Sequence, residues 1–355
     1  MKDKGLNADS DKTCYIVCGS KQFKETVDKD FKANPLLFDK FPVKQKVSDK
    51  YLGQVLHMGG VEQSATATVQ ERSGRIKGAS LEIKSIVEEY QMQSIGGLMA
   101  ARELWERALI PSLLSGAGTW LGECKEAINL CEQIQNFFWR IILKVPESCP
   151  KVALKCETRS LGIKWRVWQE KIFLVSRIRK HEEDTLCRQI YEECKSKGWP
   201  GLGQEVSNIC RTINIPDVNE QIVSKREVQE AIFNHHYSEM KQEINKMKKL
   251  EPIKNEDFTE VQNYFLDKSI ENGRMSFKIR SQMLENIPGN FKNKFRLDKE
   301  KLKCQYCESD QVMTQSHCME CTAWKNIKID LDLTKIEDLV KFLRKCYQRG
   351  KKTTQ

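Results

Sequence analysis

No uninterrupted apolar run approaches the roughly 18 residues that a membrane-spanning helix needs. The opening stretch MKDKGLNADSDKT is polar and lacks the apolar core of a secretory signal. These two absences predict an intracellular protein, nuclear or cytoplasmic, with no membrane partner. No segment repeats itself, which argues against a repeat array. A disulfide framework is missing as well. Ten of the fourteen cysteines, Cys131, Cys187 and Cys210 among them, are scattered without regular spacing through helix-like segments of a 355-residue chain. They read as small buried hydrophobes. Charge of one sign is only mildly in excess: 59 basic against 49 acidic residues give +10. That permits a polyanion partner such as nucleic acid without demanding one.

With 39% hydrophobic and 30% charged residues, the chain has the composition of a soluble, folded, helix-rich protein with room for two or more domains. The run KTCYIVCG (12–19) reads as a buried strand. Residues 41–60 read as two short strands with a turn, and Gly59-Gly60 marks the next turn. A small β element is therefore expected over 12–57. Beyond it the apolar period becomes helical. Val69, Ile76, Ala79, Ile83 and Ile86 form one stripe. Leu98, Ala101, Trp105 and Leu109 form the next, which Pro111 ends or restarts. Further stripes are Ile128, Cys131, Ile134, Phe138 and Ile141; Leu161, Trp165, Trp168, Ile172 and Val175; and Leu186, Ile190 and Cys194 with Gly198 in capping position. Ser224 to Glu227 is a capping box opening a long polar helix to about Leu250. His235 and His236 on it diverge by about 100° and cannot easily share one metal. They read as surface or partly packed residues. Residues 251–303 read as short helices and linker, and Thr334 to Glu337 is a second capping box.

One stretch carries chemistry. KCQYCESDQVMTQSHCMECTAW (303–324) holds Cys304, Cys307, His317 and Cys321 as C-x2-C-x9-H-x3-C. A C-x2-C pair presents two thiolates to one ion, and H-x3-C supplies two more donors from about one helical turn. Four soft ligands suit structural zinc with no open position. Its binding would contribute on the order of 10 kcal/mol to folding of this small module. Cys318-x2-Cys321 offers an alternative, all-cysteine closure. A redox reading fails because no thioredoxin-like sheet pattern surrounds the pair. Tyr306 and Trp324 either stack on unpaired bases or cover the apolar shell of the metal.

Several stretches, in order, resemble the reverse transcriptases of non-LTR (LINE-type) retrotransposons. LNADSDKT (6–13) is similar to the L-N-x-x-K-T segment near the end of the palm, and SDKYLGQVL (48–56) to the F-K-Y-L-G primer grip. RELWERALIPSLLSGAGTW (102–120) resembles a thumb segment, and 130–180 with LGIKWRVWQEKI resembles the helical region after it. The knuckle followed by LDLTKIEDLVKFLRKC resembles the C-terminal zinc module. The family's third ligand is a histidine in an H-L-L-x-C context, which His317 matches and Cys318 does not.

The resemblance implies a mostly α fold with a small N-terminal β element. Its parts are a palm remnant over 1–60, thumb-like helices over 61–145, a helical linker domain over 146–300, and a zinc knuckle with its helix over 301–350. It implies Zn at Cys304, Cys307, His317 and Cys321. In an intact enzyme, Tyr51, Leu52 and Gly53 would hold the primer end and Lys12 would stand near the incoming triphosphate. The alternative for Tyr51 and Leu52 is a packed edge strand. The chain has no Asp-Asp pair anywhere. The carboxylates that hold catalytic Mg belong to an intact parent, with the fingers and most of the palm lying before Met1, so no enzyme activity is expected here. What remains is binding of RNA and DNA, template or primer. Lys341, Lys345 and Arg349, four residues apart, form a basic ridge for phosphate. The rival reading is a helical protein-interaction protein with a structural zinc module. Oligomeric state is not readable.

Overall fold

A computed structural model describes residues 13–38, 41–89, 96–284, 303–304, 306–307, 311–324, 338 and 340–346. Helices dominate, and strands are confined to short pairs. The chain groups into two compact units. One comprises residues 1–79, 109–135 and 162–234; the other comprises 80–108, 136–161 and 235–355.

The first unit holds the β element. Cys14–Tyr15 runs parallel to Lys44–Gln45, and Leu37–Phe38 pairs antiparallel with Phe41–Pro42. Ser48–Tyr51 and Gln54–His57 form a hairpin. The predicted buried strand at 12–19 shrinks to two half-buried residues, with Val17 as its buried apolar anchor. Between these strands lies an unpredicted helix, Lys21–Ala33, which Ser20 caps by accepting from the Phe23 N–H at 3.2 Å. Phe23, Val27 and Phe31 are its only apolar spacing, and Phe31 meets Tyr15 edge-on at 5.1 Å. A single four-residue stripe in so polar a stretch is a weak signal.

The hairpin's outer strand would leave N–H groups bare. Ser64 and Thr68, one turn apart on the Val61–Glu89 helix, accept from His57 and Val55 at 2.9 and 2.8 Å. That helix buries Val69, Arg72 and Ile76, while Ala79 is half-buried.

The unit also holds the helices Ile163–Lys180, Leu186–Ser196 and Leu202–Thr212, the short helix Ile110–Leu113 and the first parts of Lys125–Leu143 and Lys225–Lys246. Trp165, Ile172 and Val175 are buried as expected, whereas Trp168 and Leu161 are half-buried. The stripe Leu186, Ile190 and Cys194 does not face a core. Leu186 is 70% exposed, Ile190 is exposed, and the buried residue of that helix is Tyr191. Tyr191 donates its hydroxyl to Asn219, which turns the helix about its axis relative to the apolar stripe. Gly198, at φ 63°, ends this helix, with Trp199 N–H on Cys194 O and Gly198 N–H on Lys195 O.

In the second unit, Leu98, Ala101 and Trp105 are buried together with Phe138, Trp139 and Phe265. Trp105 stacks on Phe138 at 4.6 Å. At Pro111 the second expected outcome holds, since the proline opens a new helix. A π turn over Trp105–Leu109 precedes the short helix Ile110–Leu113, whose first turn contains the proline and needs no N–H there. On Lys125–Leu143 the buried face continues through Ile142 and Leu143, with Ile141 half-buried. The Ser224 box closes on both sides: Ser224 N–H donates to Glu227 at 2.8 Å, and Glu227 N–H donates to Ser224 Oγ at 3.1 Å. Its helix ends at Lys246. His236 is buried and not a surface residue, while His235 is half-buried.

Over 251–284 the expected short helices form, Asn263–Leu266 and Ile270–Arg280 among them, but they pack into a core and do not act as a solvated linker. Phe258, Phe265 and Phe277 are fully buried. Two of the charges that made this stretch look solvated, Arg274 and Arg280, are themselves buried and paired. Arg280 grips Glu157 with Nε at 2.8 and 3.0 Å, and Tyr264 donates to the same carboxylate at 2.7 Å. Arg274 donates to Ile142 O, Glu271 and Glu88, each at 2.6 Å. Two buried arginines with filled forks are compatible with a core; unpaired ones are not.

Candidate metal centre

The short helix Gln315–Glu320 starts at Thr314, whose Oγ1 accepts from the His317 N–H at 3.1 Å. That cap fixes the register of the helix. His317 then lies in its first turn and Cys321 at its C-cap, where the Cys321 N–H returns to His317 O at 2.7 Å. The other ligand pair comes from a chain reversal. Lys303 bridges Val312, and the Cys304 N–H donates to Gln311 O at 3.0 Å, closing the loop that carries Cys304 and Cys307.

The donor atoms of Cys304, Cys307, His317 and Cys321 all lie within 4.8 Å of one another. Cys304 Sγ and Cys321 Sγ are 3.9 Å apart, and Cys307 Sγ is 3.4 Å from His317 Nε2. A tetrahedral ion with sulfur at about 2.3 Å and nitrogen at about 2.0 Å separates its ligands by roughly 3.5–3.8 Å, so the group fits one metal ion. The remaining ring nitrogen, Nδ1, meets Gln311 Oε1 at 2.7 Å, which leaves Nε2 for the metal. Burial, with the neighbouring Cys307 and Cys304, pushes the Cys321 thiol up to about 11, so a bound cation would have to displace its proton.

Cys318 is buried in the apolar cluster formed with Ile279, Leu284, Met313, Phe342 and Leu343, and it is not one of the four converging donors. Trp324 belongs to the same cluster, only 3% exposed, with the Tyr306 ring 4.9 Å away. It covers the centre and has no face free for a base.

The other predicted site residues are far from uniform in setting. Tyr51, Leu52 and Gly53 are not a packed edge. They form the hairpin tip, with Tyr51 64% and Leu52 85% exposed. Leu52 and Gly53 both have positive φ, 47° and 79°, the pattern of a type I′ turn that favours asparagine or glycine at the leucine's place. A bulky apolar residue held left-handed in solvent lowers stability, so folding alone does not explain it. Lys341 and Lys345 are exposed on the helical residues 340–346; Lys341 pairs with Asp338 at 2.9 Å. Lys12, Arg349 and the second capping box lie outside the described residues.

Two residues that sequence reasoning missed support these features. Gln311 holds His317, as above. Arg72 carries the hairpin tip: it donates to Gly53 O at 2.6 Å, Ser115 O at 2.8 Å and Leu113 O at 3.1 Å. Arg72 was readable only as a break in an otherwise apolar stripe at helical spacing. Nothing in the sequence marks Gln311.

Among the described residues no helix is long and apolar enough to cross a membrane. A scan against protein-family models and searches of curated proteins and of solved structures each return no match.

Proposed function

We propose that this chain binds nucleic acid, RNA above all, as the C-terminal part of a non-LTR retrotransposon reverse transcriptase from the end of the palm onward, with structural zinc in its knuckle and no polymerase activity of its own. The observation that carries the reading is the convergence of Cys304, Cys307, His317 and Cys321, in the ligand order of the family that the sequence resembles. Bound zinc would cross-link the two halves of the knuckle and hold its three thiols deprotonated. Around it, Cys318 and Trp324 supply the apolar shell, and Gln311 keeps the imidazole aligned. Lys341 and Lys345 attract phosphate without reading sequence. The projecting Tyr51 and Leu52 suit sugar or base faces at a strand end. The lack of an Asp-Asp pair removes the means of holding two catalytic Mg ions.

The test is twofold. Zinc-loaded protein should retain labelled single-stranded or structured RNA at low salt. It should also give no primer extension on an RNA template with Mg and all four deoxynucleotides. Extension above a blank preparation, or no RNA retention at any salt, overturns the reading.

A second reading, a protein-interaction module, is favoured by the solvent-facing Leu186, Ile190 and Trp199. It predicts no salt-sensitive RNA binding and capture of a protein partner that Leu186→Ser abolishes.

A further inference from the structure

The first unit contains a cleft of about 540 Å³ between the helices Lys125–Leu143, Ile163–Lys180 and Leu202–Thr212, within the roughly 300–1,000 Å³ typical of small-ligand sites. Its walls are apolar: Ile128, Val167, Ile209 and the Trp168 ring. An ammonium lines the same cleft. Lys171 is only 1% exposed, and it donates to Gly122 O at 3.1 Å and to Glu205. Glu205 in turn accepts from the Gly122 N–H at 3.2 Å. An ammonium has three N–H donors. Among the described residues nothing takes the third, and a buried donor left without a partner is costly.

The mouth adds two kinds of group. Asn129 and Asn208 are exposed and line the cleft, each carrying a donor and an acceptor side by side, with Asn208 Oδ1 also accepting from Arg211 at 3.5 Å. The Lys164 ammonium is held 4.7 Å from the Trp168 ring centroid and 4.9 Å from that of Trp165. Lys125 is paired with Glu123 at 2.5 Å, so the rim keeps the positive charge of Lys164.

The geometry points to a nucleotide site: a flat ring between Trp168 and the aliphatic wall, a ring or carbonyl acceptor on Lys171, a base edge on the two asparagines, and phosphate toward Lys164. An aliphatic ligand would leave the asparagines and Lys171 unmatched, and a bare phosphate would leave the apolar wall empty. The nucleotide is either free or an unpaired unit of a strand. The site uses neither the metal centre nor the C-terminal lysines.

The test is calorimetric titration of the full, zinc-supplemented chain with UMP, CMP, AMP and GMP, with ribose 5-phosphate as control. At least one mononucleotide should bind one per chain, tenfold or more tightly than ribose 5-phosphate. Asn129→Leu with Asn208→Leu, both at exposed positions, should weaken it at least tenfold at unchanged Tm. Lys164→Gln should weaken the mononucleotide more than the corresponding nucleoside. A pentanucleotide that competes more strongly than its monomer assigns the site to strands; one that competes less assigns it to free nucleotide. The inference falls if no mononucleotide exceeds ribose 5-phosphate, or if the double asparagine variant binds like the wild type. Lys341→Gln with Lys345→Gln should leave mononucleotide affinity intact, so this site and the proposed RNA contact fail separately.

Discussion

Gln311 Oε1 stands 2.7 Å from His317 Nδ1 and leaves the opposite ring nitrogen 3.4 Å from Cys307 Sγ. The same residue's carbonyl accepts from the Cys304 N–H, so one glutamine ties both halves of the centre. Partners of this kind are worth about 10–100-fold in metal affinity. Gln311→Ala should therefore weaken zinc binding by at least tenfold in a chelator competition, while one metal per chain still binds at saturation. An unchanged affinity would remove Gln311 from the site.

The ligand set makes a sharper demand. Cys318 and Cys321 both belong to the apolar cluster, but only Cys321 is among the four converging donors. Cys318→Ala should keep one zinc per chain by elemental analysis, and Cys321→Ala should lose it. Equal loss from both would assign the all-cysteine alternative.

The hairpin tip hangs on Arg72. Its three bonds to carbonyls are charge-assisted, and Arg72→Met should cost about 3 kcal/mol in urea unfolding. Leu52→Asn should instead stabilise by about 1 kcal/mol, because asparagine tolerates φ 47° where leucine is strained. If Leu52→Asn also weakens RNA binding, the strain serves function; if it leaves binding unchanged, the tip is not a contact.

Acid stability should depend on Glu88. Burial raises its carboxyl, but hydrogen bonds and charge from Arg274 and Lys144 outweigh that and hold it below the usual range. A depressed folded value means stability that is complete above the unfolded value of about 4.3 and is lost as pH falls through the folded one. Glu88→Gln should thus lower Tm at pH 6, and the gap to wild type should shrink by pH 3. A constant gap would show that the charge of Glu88 is not what stabilises.

Parts of this fold are legible because local physics decides them. The Ser224–Glu227 box and Gly198 cap act within a few residues, and the C-x2-C-x9-H-x3-C spacing nearly forces its donors together. Other parts depend on partners distant in sequence. Phe258, Phe265 and Phe277 sit among charges, and the pairing of Arg280 with Glu157, 123 positions away, explains how that charge comes to be inside. Leu186 and Ile190 form a proper helical stripe, yet Tyr191 takes the buried face through Asn219. The Lys21–Ala33 helix buries none of its residues, and its one apolar stripe, Phe23, Val27 and Phe31, is too short to announce it.

The proposed contact with RNA through the exposed C-terminal lysines is electrostatic, so the salt dependence of binding tests it. Each phosphate neutralised on a single strand contributes about −0.7 to the slope of log K against log salt. Fluorescence anisotropy of a labelled single-stranded RNA, titrated from low to physiological salt, should show a steep negative slope for the wild type. Lys341→Gln with Lys345→Gln should flatten it by about 1.4. A slope near zero, or one that the double variant leaves unchanged, would rule out phosphate contact through these lysines.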